Sequence, residues 1–190
     1  GPRLNAAGRL DDMRIGIACL LAETEADAMQ KAQTLHDLNL ERRNIEADMQ
    51  DTALSTLENI EVANQYSLSI YSADYHQGVI GILASRIKEK YHRPTLVFAD
   101  TGQDTKDGRL LKGSGRSIAS LHLRDALDLV TKQHPDLILK FGGHAMAAGL
   151  SFDYGQLDAF TERITQIARE RLSGMELAPE LSIDYEISLD

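Results

Sequence analysis

Between Glu23 and Leu57 the chain contains no Gly or Pro. Apolar residues return there at mixed steps of three and four: Ala26, Met29, Ala32, Leu35, Leu38, Ile45, Met49 and Leu57. That period predicts one long amphipathic helix, with room for a single break. Thr24 ahead of Asp27 supplies an N-cap and an acidic residue in the first turn. A helix of this length exceeds what one small domain needs, and it reads as a strut between two. The period then changes. Tyr66, Leu68 and Ile70 alternate with polar neighbours as in a strand, Val79 to Tyr91 returns to helical spacing, and Thr95 to Ala99 is a short apolar run after Pro94. Strand, helix and strand at this spacing make a βαβ unit with parallel strands. Asp100 to Gly108 reads as an exposed turn, Arg109 to Lys112 as a strand and Leu121 to Gln133 as a helix. Ala147 to Phe152 reads as a strand and Leu157 to Leu172 as a last helix. Gly1 to Asp12, with two glycines and a proline, reads as a loop, and the adjacent Asp11 and Asp12 as solvated carboxylates. The fold class is therefore α/β: a mixed sheet with flanking helices, preceded by a long connector helix.

Composition narrows the setting. The chain has 190 residues, 43% hydrophobic and 26% charged, enough for an ordinary globular core. No apolar run approaches the ~20 residues of a membrane span, so no membrane partner is expected. No secretory signal is visible. Cys19 is the only cysteine, which rules out an internal disulfide or a cysteine zinc site and fits a reducing cytoplasm. The net charge of −9 argues against a basic nucleic-acid-binding surface, but not against a local basic cleft on an acidic body. The chain starts at Gly1 rather than Met, and Ser182 to Ser188 alternates like a strand that has only begun. Both features lead us to expect ends that lie inside a larger protein.

Three Gly-containing clusters could carry chemistry. Gly113-Ser114-Gly115-Arg116-Ser117 combines glycines, two hydroxyls and a guanidinium at an expected strand end. Glycine lets backbone approach a ligand, and Arg binds phosphate as a fork. The plain alternative is a turn with a helix cap at Ser117. Gly142-Gly143-His144 places ring donors beside a bare backbone, or else forms a tight turn. His76-Gln77-Gly78-Val79-Ile80-Gly81 sits at the strand-to-helix turn, where α/β ligands and helix N-termini meet, or simply starts a helix. All three could converge on one face, and nucleotide-phosphate recognition is their simplest common purpose. Other chemistries lack their motifs. No HxxxH pair or Asp-rich triplet suggests a metal site, and Gly113 to Ser117 is too short for a Walker loop.

In this order the motifs resemble a known family. Gly1-Pro2-Arg3-Leu4-Asn5-Ala6-Ala7-Gly8-Arg9-Leu10 resembles the segment that closes the DHH domain of RecJ-type exonucleases. His76 to Arg86 resembles the opening of their DHH-associated domain. Gly113 to Ser117 and Gly142 to His144 resemble its two substrate-binding motifs. The resemblance implies a division into residues 1–22, the tail of a catalytic domain; 23–60, the connector; 64–174, the substrate-binding domain; and 175–190, the start of an oligonucleotide-binding-like domain. It implies a metal-dependent phosphodiesterase that degrades single-stranded DNA from the 5′ end in repair and recombination. Manganese or magnesium would be held by a domain outside this chain, so no catalytic residue and no metal ligand is carried over. Arg116 and His144 would hold phosphate or terminal groups, and Ser114 and Ser117 would add hydroxyl contacts. Gly142 and Gly143 would allow close approach, and Arg3, Asn5 and Arg9 would face the interdomain cleft. His76 matches a motif position and would order the turn or touch substrate. Two other readings stand beside this one: a DHH-family enzyme acting on short oligonucleotides or cyclic dinucleotides, and a non-catalytic scaffold that binds partners through the long helix.

Overall fold

The computed structural model describes residues 1–58, 60–105 and 108–178. The strand expected within 182–188, and most of the further domain expected from 175, lie outside the described residues. The N-terminal segment is helical rather than a loop. Helix α1 spans Pro2–Leu10 and α2 spans Met13–Leu20. Proline at the first helical position costs no hydrogen bond, which is why Pro2 starts α1 instead of preventing it. The glycines serve close helix packing: a Cβ at Gly16 would lie 3.1 Å from Leu4 Cδ2, and one at Gly8 would lie 2.8 Å from Met13 Cε. Asp12 is not simply solvated. It caps α2, accepting from Arg14 N–H (2.8 Å) and Arg14 Nε (2.7 Å), and these bonds hold its carboxyl below the usual range.

Helix α3, Glu25–Glu58, is unbroken over 34 residues and so roughly 50 Å long. Asp27 N–H bonds Thr24 Oγ1, the expected cap. The helix packs on α1 and α2 as well as on the body: Leu35 is buried in its N-terminal half, while Met49, Ala53 and Leu57 are buried against the α/β body. The burial is therefore two separate patches rather than one stripe, and Met29, expected inward, is 67% exposed. Glu46 accepts from Arg42 (2.5 Å) on its own helix and from Arg86 (3.2 Å) on α4, Ile80–Tyr91, which ties the strut to the body.

The body is one five-stranded sheet in the order β1-β2-β3-β5-β4. Its strands are β1 Leu68–Tyr71, β2 Thr95–Thr105, β3 Gly108–Arg116, β4 Lys140–Gly143 and β5 Ala147–Asp153. Helix α4 joins the parallel pair β1 and β2, as expected of a βαβ unit. The other neighbours are antiparallel. Three departures from expectation shape the site. Strand β2 runs on to Thr105, because its polar half is an exposed hairpin arm with no apolar face to reveal it; the register shifts between Asp100 and Asp104. Gly113 to Arg116 are the last four residues of β3, a strand end as expected, but the strand read as stopping at Lys112 carries the motif itself and the next helix begins only at Leu123. Gly142 and Gly143 belong to the edge strand β4, held by backbone pairing to β5 rather than by strand-forming side chains.

The two faces of the sheet differ. On one face Leu96, Phe98, Leu111, Ala148, Leu150 and Phe152 meet α5, Leu123–Gln133, and α6, Leu157–Leu172. Phe152 stacks on Phe160 with centroids 4.9 Å apart, and Phe98 meets both rings edge-on. On the other face α4 lays Ile80, Leu83, Ala84 and Ile87 on Leu68, Ile70, Val97 and Ala99. That cover sits on the parallel half of the sheet. On the same face the antiparallel half presents Gly149 and Gly142, both exposed. A Cβ at Gly142 would meet nothing within 4 Å, and one at Gly149 only the Gly113 carbonyl oxygen at 3.8 Å. Arg93 pins the ends of the body together, donating to the Gln65 carbonyl (2.7 Å) before β1 and the Leu177 carbonyl (2.7 Å) after α6.

Candidate phosphate-binding cleft

Side chains two apart on a strand share a face, so Lys112, Ser114 and Arg116 project together from β3. Their face is the one that α4 only half covers. A cleft of about 350 Å³ opens there. Its walls are Gln77, Gly78, Ile80 and Gly81 on one side, Lys112 to Ser114 and Arg116 on the floor, and Gly142, Gly143 and Ala147 to Gly149 on the other side. Arg9 closes one end. All three clusters singled out in the sequence therefore contribute to one hollow, although they lie up to about 70 residues apart in the chain. No residue of β1 or β2 lines it. The cleft lies on the face of the antiparallel strands and not off the end of the parallel ones.

The glycines divide by role. Gly113 and Gly115 point to the core: a Cβ on Gly113 would sit 2.6 Å from the Phe98 ring, and one on Gly115 would sit 2.7 Å from Leu123. They admit core side chains and not a ligand, which corrects the expectation for this motif. Gly81 and Gly78 are the glycines of close approach on the cleft side. A Cβ at Gly81 would be 3.0 Å from both Arg116 Nη2 and Ser114 Oγ, and one at Gly78 would collide with the Arg9 carbonyl oxygen. Gly143 has a φ of +148°, which favours glycine, and its Cβ position is blocked by the Ala147 carbonyl.

Arg116 is half-buried, and its Nη1 donates to the Gly115 carbonyl (2.8 Å) and to Ser114 Oγ (3.2 Å). Arg9 Nη1 donates to the Gly78 carbonyl (3.1 Å). Neither guanidinium has an acidic partner among the described residues. Burial first, and the charge on Arg9 second, push the Arg116 guanidinium below the usual range. Arginine nevertheless stays charged in proteins. An exposed and a half-buried cation thus line one hollow, close enough for the charge of one to be felt by the other, an arrangement that an anion stabilises.

The remaining expected residues sit elsewhere. His76 accepts from Gly78 N–H at Nδ1 (3.1 Å), so its ring orders the turn and is not a wall of the cleft. Ser117 is 1% exposed, with its hydroxyl donating to the Leu121 carbonyl (2.7 Å). His144 is exposed on the β4–β5 hairpin, its N–H donating to Ala147 O (2.8 Å) directly after the cleft-lining Gly143. Arg3 lines a separate hollow with Asn39, Arg42 and Arg43 of α3, and Asn5 is exposed on α1 without lining the cleft. Sequence reasoning missed Lys112 and Gly149. Extending the two-residue period back from Arg116 and Ser114 reaches Lys112. Gly149 faces Ser114 across the β3–β5 pair, and that register is not readable from the chain alone.

The DHHA1 domain profile matches residues 59–170, more than half of the chain. The chain belongs to the DHHA1 domain family. The family segment takes in β1 to β5 and every cleft-lining residue except Arg9. The chain is 50% identical over 191 aligned residues to the single-stranded-DNA-specific exonuclease RecJ of Dickeya dadantii, and 47% identical to that of Escherichia coli. These alignments cover 99% of this chain and 32% of each relative, so the chain spans about a third of the length of the proteins it matches. Among solved structures, RecJ from Thermus thermophilus in complex with Mg2+ is 31% identical, with a TM-score of 0.74, over 89% of this chain and 24% of that one. The same protein has also been solved with Mn2+. Among the described residues of this DHHA1 chain, no three His, Cys, Asp or Glu side chains gather as metal ligands. Among the same residues no helix is long and apolar enough to cross a membrane.

Proposed function

We propose that this chain is the substrate-positioning part of a RecJ-type exonuclease, a cytoplasmic enzyme that degrades single-stranded DNA from its 5′ end in repair and recombination. The observation that carries this is the cleft itself, where two guanidiniums with no acidic partner among the described residues and a bare glycine shelf meet at the junction of three sequence motifs. Arg116 grips a 5′-terminal phosphate, Ser114 adds a hydroxyl, and Arg9 closes over the anion from α1. Gly142 and Gly143 leave room for the nucleotide, and His144 reaches it from the hairpin tip. Arg3 and Asn5 face the remainder of the protein. Ser117 and His76 support the site from behind through the bonds they make to backbone. Metal-dependent hydrolysis, with manganese or magnesium, belongs in this reading to the part of the protein outside this chain. Binding energy spent here fixes the strand end, which makes the cleavage step effectively intramolecular.

An exonuclease assay on the full-length protein with manganese tests the reading. It should release nucleotides from the 5′ end of single strands, with duplex DNA degraded far more slowly. Equal degradation of duplex and single strands would contradict it. The junction between α1 and the turn at residue 78 makes a further prediction. Gly78→Ala puts a methyl group against the Arg9 carbonyl oxygen, where backbone cannot yield cheaply. The Arg9–Gly78 contact should open, and affinity for a 5′-phosphorylated single strand should fall severalfold while the thermal midpoint drops by only a few degrees. Isothermal titration and calorimetry of the same variant check both.

A further inference from the structure

His76 does more than open a helix. Its ring Nδ1 accepts from Gly78 N–H (3.1 Å), and its carbonyl accepts from Val79 N–H (2.9 Å) and Ile80 N–H (3.2 Å). Gly78 N–H belongs to the peptide on one side of Gly78, and Val79 N–H to the peptide on the other. One residue therefore pins both peptide planes that flank a glycine. A trans peptide points its carbonyl away from its N–H. With Val79 N–H turned in to His76, the Gly78 carbonyl is turned out, and there it accepts from Arg9 Nη1 (3.1 Å).

The turn needs that restraint. Position 78 has to be glycine, because a Cβ there would collide with the Arg9 carbonyl oxygen. Glycine is also the residue with the most conformational freedom, and so the least able to hold its own carbonyl still. Helix α4 gives no help, since its N-cap Val79 makes no side-chain cap bond. The other side of the contact is firm. Helix α1 packs on α3, and Leu10, next to Arg9, packs on the core that holds Ile80 and Leu83 of α4. The Arg9 side chain itself is exposed, and the Gly78 carbonyl is its hydrogen-bond partner among the described residues.

We infer that His76 is a positioning residue for Arg9: by fixing the peptides around Gly78 it holds the carbonyl that aims the Arg9 guanidinium at the anion site shared with Arg116. The inference rests on the proposed phosphate site and adds to it a residue that does not line the cleft. Arginine has many rotamers to lose on binding, and ordering it before the ligand arrives lowers that cost. The gain goes to ligands with an anion at this end of the cleft. Asparagine can take the place of the histidine, because its Oδ1 accepts from the N–H two residues on in an Asx-turn. Alanine has no acceptor to offer.

The test uses the full-length protein with divalent metal chelated. Affinities for a thymidine dodecamer with and without its 5′-phosphate are measured for wild type, His76→Ala, His76→Asn, Arg9→Gln and the variant carrying both His76→Ala and Arg9→Gln. The thermal midpoint of each is recorded. His76→Ala should weaken the phosphorylated dodecamer about fivefold, the contribution of one ordinary hydrogen bond, and leave the unphosphorylated one within about twofold of wild type. His76→Asn should restore wild-type affinity. Arg9→Gln should weaken the phosphorylated dodecamer by itself, and adding His76→Ala to it should cost nothing further, because residues that act through one contact are not additive. If the double variant shows the product of the two single losses, or if His76→Asn binds as weakly as His76→Ala, the positioning role is wrong and the phosphate site stands. A His76→Ala variant that weakens both dodecamers alike and lowers the midpoint would also overturn it, leaving His76 a purely structural residue. If Arg9→Gln leaves the preference for phosphate unchanged, the part of Arg9 in the proposed site fails and the positioning role falls with it.

Discussion

Arg116→Lys in the full-length protein is expected to lower kcat/KM on a 5′-phosphorylated single strand by about 10- to 100-fold, corresponding to roughly 1.5–3 kcal/mol for a hydrogen bond to a charged group. The manganese concentration for half-maximal rate should not move. The charge is retained in this variant, so the loss isolates geometry. Arg116 spends Nη1 on the Gly115 carbonyl and Ser114 Oγ, which fixes the plane of the guanidinium and leaves its other edge for the ligand. A lysine has no second arm to be fixed in this way. Steady-state kinetics over a metal titration would check it. A variant within twofold of wild type would remove Arg116 from substrate contact.

Gly113→Val is expected to be the most damaging single change to the fold, at about 3 kcal/mol or more. The value lies at the upper end of overpacking costs because the site cannot relax. The new Cβ alone would lie 2.6 Å from Phe98 Cε1 and 2.7 Å from Leu150 Cδ2, and Phe98 is already held edge-on to Phe152 and Phe160. Chemical denaturation should show a lower midpoint with an unchanged slope. A midpoint equal to wild type would mean that the glycines of this motif do not face the core. The result also separates two explanations of the motif. If Gly113 served the ligand, valine would spare stability and abolish binding.

That distinction marks where the sequence could be read and where it could not. The last helix was legible from residue 157 to 172, because Phe160, Ile164, Ile167 and Ala168 follow one helical stripe with no competing signal. The βαβ unit was legible because Pro94 marks the boundary between helix and strand, although α4 itself ends at Tyr91 with His92 in the left-handed conformation, and because the strands alternate or run apolar. Helix α1 was not, because Gly8 looks like a loop residue until the packed Met13 shows why nothing larger fits, and α2 had no reading at all. Strand β4 carries almost no side-chain signal, since its existence rests on pairing to β5. The candidate cleft was legible to the extent that its members are unusual: Arg116, Ser114, Gly142, Gly143 and Arg9 all line it. The orientation of each glycine was not. Gly113 and Gly142 look alike in sequence, yet one is wedged against Phe98 and the other faces open space. Only sheet register assigns them to opposite faces.

The most direct test of the central claim is the equilibrium preference for a 5′-phosphate. Affinities of the full-length protein, with metal chelated, are measured for one single-stranded oligonucleotide with and without its 5′-phosphate, for wild type and Arg116→Ala. The phosphate should tighten binding to wild type by about tenfold or more, as expected for a charge-assisted contact. Arg116→Ala should bind both forms alike. A phosphate preference that survives in Arg116→Ala would place the strand end somewhere other than this cleft.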